Sequence, residues 1–117
     1  FLFSDVTADL AVGGPAMSWL EGQIAAYGVG KFNIVCFPRA PYTSLGVQAT
    51  DLRWPFDTIG VQLVISSDTV QNYERRLVNG VQYIVLATKL GALQLVLSEN
   101  VIQGSYKSLT DAFTIIR

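Results

Sequence analysis

The side chains able to do chemistry in this chain are few, and their types narrow what that chemistry would be. No histidine occurs in its 117 residues. Ser-His-Asp and Cys-His nucleophiles, histidine-ligated zinc and histidine proton relays are therefore ruled out. An enzyme would have to work with carboxylates, lysine, tyrosine or one thiol. The nine carboxylates are Asp5, Asp9, Glu21, Asp51, Asp57, Asp68, Glu74, Glu99 and Asp111, and no spacing among them forces two to converge as a glycosidase acid/base pair does. Turns and helix ends account for such residues without any reaction. Asp51, Arg53 and Asp57 come nearest to a polar group, with Trp54 and Phe56 among them. They are expected to form a small polar pocket, a partner contact, or a solvated loop with an aromatic anchor. Tyr106-Lys107-Ser108 has residue types used in catalysis, yet three neighbours on an extended chain point in alternate directions. The glycines at 13 and 14 and at 28 and 30 lack the Lys-Ser or Lys-Thr that would follow in a phosphate loop. Cys36, alone and within an apolar run, reads as a small buried hydrophobe and leaves no internal disulfide, so a reducing compartment is expected. No catalytic, cofactor or metal site is assigned.

Composition points toward contact instead. Eight Lys and Arg stand against nine Asp and Glu, half of the residues are apolar, and the charged fraction is 15%, where about 25% is usual for soluble domains. Uncharged polar groups and apolar atoms must cover much of the surface, which invites burial against another chain. A net charge of −1, with Arg75-Arg76 behind Glu74 as the one basic pair, argues against an electrostatic grip on nucleic acid. No apolar run reaches the length of a membrane helix. Phe1-Leu2-Phe3-Ser4 meets Asp5 too soon for a signal peptide, and the missing initiator methionine implies that at least one residue preceded Phe1.

The elements that must position these residues follow from periodicity. No internal repeat or linker interrupts the chain, so one domain is expected over 1–117. Gly13-Gly14-Pro15 opens a helix over 15–27, with Ala16, Trp19, Leu20, Ile24 and Tyr27 as its apolar stripe and Gly28 as its stop. Alternation predicts a strand over 32–37. Residues 39–57 read as a long loop, with room for a short strand near 47–50. A strand follows over 58–66. Tyr73, Arg75 and Leu77 alternate with Glu74, Arg76 and Val78 up to Asn79-Gly80, the signature of a type I′ hairpin turn. The chain returns over 81–89, turns near Leu90-Gly91 and runs back over 92–98, giving a three-stranded meander over 73–98. A turn around 99–105 is expected at Gly104, then a last strand over 109–116 with a helical turn before it. The fold class is mainly β: a small antiparallel β-barrel or curled sheet with one amphipathic helix near the N-terminus, its apolar strand edges needing cover.

The stretch Arg76-Leu77-Val78-Asn79-Gly80-Val81-Gln82-Tyr83-Ile84-Val85 resembles the hairpin of small tailed-bacteriophage head-closure, or head-to-tail adaptor, proteins. That hairpin has a basic residue, an apolar strand, a turn glycine and an aromatic residue followed by Ile or Val, before a further strand. The resemblance implies a structural virion protein that forms a ring of identical subunits beneath the portal, meets portal and tail proteins, and lets DNA pass without specific binding. It further implies assembly in the host cytoplasm, with no membrane partner and no cofactor. The family's long mobile loop would correspond to residues 39–57. A near-neutral chain suits a channel in which DNA slides. Ring contacts join two different patches of each subunit, and the interface candidates are Trp54, Phe56, Arg53, Arg75 and Arg76, of which the two adjacent arginines face opposite sides of their strand. Two other classes stay open: a capsid or tail structural protein elsewhere in the virion, and a small β-barrel holding an apolar ligand. An enzyme ranks last.

Overall fold

A computed structural model describes residues 1–3, 10–44, 47–67, 73–86, 92–106 and 111–116. Within them the chain is mostly β, in two sheets with two short helices. Helix α1, Pro15–Gln23, starts behind Gly14 with proline in its first turn, where the missing N–H costs nothing. A wider π turn, Ile24–Gly28, continues it. Only part of the expected apolar stripe packs inward. Leu20 and Ile24 are buried, whereas Trp19 and Tyr27 are 51% and 70% exposed. The π turn takes the later residues off the 3.6-residue line, so Tyr27 no longer follows Leu20 and Ile24.

Strand β1, Ile34–Phe37, pairs in parallel with β2, Leu63–Ser67, which pairs in parallel with β4, Val81–Leu86. Strand β3, Glu74–Val78, completes this sheet antiparallel to β4. The second sheet is antiparallel throughout, with β6, Val101–Tyr106, between β5, Leu93–Leu97, and β7, Ala112–Ile116. Of the two expected forms, a small antiparallel barrel or a curled sheet, no closed barrel forms among the described residues, and the strands are not all antiparallel: one sheet is mixed and the other antiparallel. Likewise the expected three-stranded meander is only a hairpin, since β5 leaves β4 for the other sheet.

Three local expectations are corrected. Residues 58–62 are not strand: Phe56–Ile59 is a helical turn, α2, and Gly60 follows at φ +102°, outside the extended region. The region 47–50 holds no strand among the described residues, and a 3-10 turn, Thr50–Leu52, begins at its end. Gly104 is not in a turn but in the middle of β6, where the Phe113 ring of β7 lies on it; a Cβ there would stand 2.2 Å from Phe113 Cζ. Other expectations lie outside the described residues: the turns at 68 and near 90–91, residues 87–89 of the returning strand, and the helical turn before 111.

Two core layers result, one on each face of the mixed sheet. Leu20, Ile24, Val35, Phe37, Leu52, Trp54, Phe56, Val64, Val81 and Tyr83 fill the layer under α1 and the 39–61 connection. Leu63, Ile84, Ile102, Phe113 and Ile115 fill the layer between the sheets. The strands of a sheet covered on both faces carry near-continuous apolar runs, and β4 is buried at five consecutive residues. Buried Asn33 ties the layers' ends together: its Nδ2 donates to Gly28 O and Gly60 O at 3.0 and 2.8 Å, and its N–H donates to Gln62 Oε1 at 2.7 Å. The open edge of β1 is partly covered by residues 1–3, with the Phe3 N–H donating to Cys36 O and the Cys36 N–H donating to Phe1 O. Cys36 itself is half-buried, and that burial pushes its thiol pKa up.

Candidate functional site

The connection from β1 to β2 places the polar residues of the 51–57 segment on two different surfaces. The 3-10 turn directs Asp51 to Arg39, whose guanidinium makes a two-pronged pair with the carboxylate at 2.9 and 3.3 Å and holds the Asp51 carboxyl below its usual pKa. Arg53 and Asp57 instead line a cleft of about 380 Å³ together with Val12, Tyr42, Trp54, Pro55 and Tyr83 and the turn of the β3–β4 hairpin. The expected Asp51, Arg53 and Asp57 group is therefore split, with Asp51 outside the cleft.

Arg53 is held in place by the chain itself. Its Nε donates to Pro41 O at 2.9 Å, its Nη2 donates to Gln48 Oε1, and its guanidinium stacks 4.1 Å above the Tyr42 ring. Tyr42 meets Tyr83 edge to face at 4.8 Å. Burial, with the nearby Tyr42 and Asp57, drives the Tyr83 hydroxyl pKa upward, so this phenol stays protonated. Asp57 is exposed, with no ion pair among the described residues. Sequence reasoning missed both tyrosines: one lies early in the loop, the other in a strand, and only the docking of the loop on the sheet unites them. The available signal was modest, since Tyr83 shares a strand face with Val81 and Val85.

Trp54 and Phe56, expected at an interface, sit in the chain's own core at 2% and 1% exposure. Trp54 Nε1 donates to Leu10 O at 2.8 Å, and the two rings join a run of aromatic contacts through Phe37 and Phe3 to Trp19. As placed, neither offers its ring to a partner.

Arg75 and Arg76 do point to opposite faces of β3. Arg75 reaches across to the second sheet, where its Nε and Nη2 donate to Asp111 at 2.8 and 3.0 Å, and the Tyr73 hydroxyl donates to the same carboxylate at 2.7 Å. Arg75, then burial in the opposite sense and Tyr73, leave the Asp111 carboxyl below its usual pKa. Arg76 stays exposed on the cleft side, 5.8 Å from the centre of the Tyr42 ring. Glu74, the neighbour of both arginines in sequence, accepts from Thr43 Oγ1 and from the Ser44 N–H and Oγ.

A second surface is defined by lack of charge. Residues 94, 96, 103, 105, 112, 114 and 116 point away from the core of the three-stranded sheet, and the register sets Val96 beside Gln103 and Thr114, and Val101 beside Ile116. None carries a charge. Val96 and Ile116 are 55% and 76% exposed. On the opposite outer layer, Trp19, Tyr27, Val29 and Leu2 are also exposed.

No family model matches this chain, and no curated protein and no solved structure matches it.

Proposed function

We propose that this chain is a structural subunit, without catalytic activity, that assembles head to tail with copies of itself. The observation that carries this reading is a pair of exposed, partly apolar surfaces on its two outer layers, the uncharged face of the β5–β6–β7 sheet and the side of the helix layer that exposes Trp19, Tyr27, Val29 and Leu2. A contact joining two different patches generates a ring when its rotation closes. The ring setting is the one implied by the hairpin resemblance, a connector between a phage head or portal and its tail. That setting is supported by the 76–85 string and by the near-neutral charge, which suits passage of DNA without binding. The alternative of an apolar ligand inside a β-barrel loses its support, because the inward faces of both sheets are filled by side chains.

The test uses one variant per patch. Val96→Lys with Ile116→Lys spoils the sheet face, and Trp19→Glu with Tyr27→Glu spoils the helix side. Wild type is expected to sediment as an oligomer of fixed size and to show rings by electron microscopy, and each variant to sediment as a monomer. Mixing the two variants restores only dimers, because one intact pair of complementary patches remains. A wild-type chain that stays monomeric at about 1 mM, a concentration that reveals even weak association, would overturn the proposal.

A further inference from the structure

The cleft lined by Arg53 and Asp57 carries hydrogen-bond donors and positive charge that the fold leaves unspent. Arg53 bonds only to neutral oxygens: Nε donates to Pro41 O and Nη2 to Gln48 Oε1, while Nη1 has no partner among the described residues. Arg76, beside the cleft, makes neither hydrogen bond nor ion pair among the described residues. Glu74, two residues before it on the same face of β3, acts on it only through space, because its oxygens are taken by Thr43 and Ser44. Both guanidiniums stand by one ring, Arg53 at 4.1 Å and Arg76 at 5.8 Å from the centre of Tyr42. The cleft sets a single carboxylate, Asp57, against these two like charges, and it is bonded to neither. The third unspent donor lies deeper. Tyr83 is only 6% exposed and its ring lines the cleft; its hydroxyl has no hydrogen-bond partner among the described residues, yet it is not among the fully enclosed unpaired atoms. Burial keeps that hydroxyl protonated and so able to donate. Buried hydroxyls are normally met by a partner, whether protein, water or ligand.

We propose that this cleft binds a small carboxylate on a short apolar body, its charge met by the Arg53 and Arg76 guanidiniums and one of its oxygens accepting the Tyr83 O–H. Two positive charges less that of Asp57 leave one to be matched, which favours a monoanion over a phosphate dianion. A planar guanidinium also fits the geometry of a carboxylate. The body of the ligand meets the apolar lining supplied by Tyr42, Trp54, Pro55 and Val81. A space of about 380 Å³ lies at the small end of ligand sites, which run from roughly 300 to 1,000 Å³. Asp57 opposes such a ligand, so removing its charge should tighten binding. Nothing in this assignment depends on self-assembly, so the Val96→Lys, Ile116→Lys chain should bind the same ligands.

Trp54 lines the cleft, and a Trp19→Phe background leaves it as the one indole of the chain. Its fluorescence is titrated at low salt with butyrate and hexanoate, with n-butanol, n-butylammonium and methyl phosphate as neutral, cationic and phosphate counterparts, and with N-acetyl-leucine as the form a protein C-terminus would take. Saturable change is expected for the carboxylates, with a dissociation constant of about 1 mM or tighter. Arg53→Gln should weaken binding by about tenfold, the scale of a lost charge-assisted contact. Arg76→Gln, which removes no protein hydrogen bond, should weaken it several-fold even if Arg53→Gln disturbs the loop. Tyr83→Phe should also weaken it several-fold with an unchanged melting temperature, and Asp57→Asn should tighten it. Tighter binding of N-acetyl-leucine than of hexanoate would identify the ligand as a chain end of a partner, and the reverse a free acid. Equal response to butanol, preference for butylammonium or methyl phosphate, insensitivity to Arg76→Gln, weaker binding by Asp57→Asn, or no saturation by any carboxylate would overturn the proposal.

Discussion

Strands β4 and β7 are built from similar residues, yet β4 is buried at five positions in succession and β7 at every second one. The difference lies in what covers each sheet. The mixed sheet has α1 and the 39–61 connection on one face and the second sheet on the other, so both sides of β4 meet apolar neighbours. The second sheet meets the first on one face only, and its other face carries Val96, Gln103, Thr114 and Ile116 without charge. Burial of the first sheet thus serves stability, while the open face of the second is the surface that the proposed assembly would use.

The largest test of that contrast is in the shared layer. Leu63 is fully buried between the sheets, and Leu63→Ala is expected to cost about 2–5 kcal/mol, read by urea unfolding. Val96→Ala on the open face should change stability by no more than about 0.5 kcal/mol while weakening association. Equal costs at the two sites would erase the distinction. Next in size is the close approach at Gly104, where a methyl group would collide with the Phe113 ring. Gly104→Ala is expected to cost about 1–3 kcal/mol, the usual range for forced overpacking, and adding Phe113→Leu should recover part of it; a single variant as stable as wild type would mean that the ring does not rest there.

The smallest effect concerns the link between the sheets. Arg75 and Asp111 are each about three-tenths exposed, so Asp111→Asn should cost no more than about 1 kcal/mol at neutral pH, as for other solvent-facing pairs. Because the folded-state pKa of Asp111 is depressed, its contribution is fully present above the unfolded value near 4 and is lost as the pH falls through the lower folded value. Unfolding midpoints of wild type and Asp111→Asn should therefore converge as the solution is acidified below about pH 4. A gap that stays constant down to the acid limit would remove Asp111 as the titrating partner.

Much of the local structure was legible in the sequence. Asn79-Gly80 announced its turn because two positive φ values, +50° and +78°, are needed there and these residues tolerate them. The sidedness of β3 and β4 followed from period-two alternation, and it correctly sent Arg75 and Arg76 to opposite faces. The candidate cleft was half legible: Arg53 and Asp57 were marked, but Asp51 was drawn away by Arg39, and Tyr42 and Tyr83 entered through packing. Gly104 was misread because its partner, Phe113, stands beside it only across the β6–β7 ladder.

What the sequence determined by itself was which residues share a strand face, where the hairpin turns, and that no imidazole chemistry is open to the protein. These are properties of neighbours along the chain, enforced by sterics and by the alternation of side chains in an extended backbone. Only the tertiary structure decided that β1, β2 and β4 run in parallel, that β5 leaves β4 for another sheet, and that one face of that sheet stays bare. Alternation reads the same in parallel and antiparallel strands, and the choice is made by which distant apolar faces bury one another, as when Leu63 and Ile84 of the mixed sheet meet Ile102, Phe113 and Ile115 of the other.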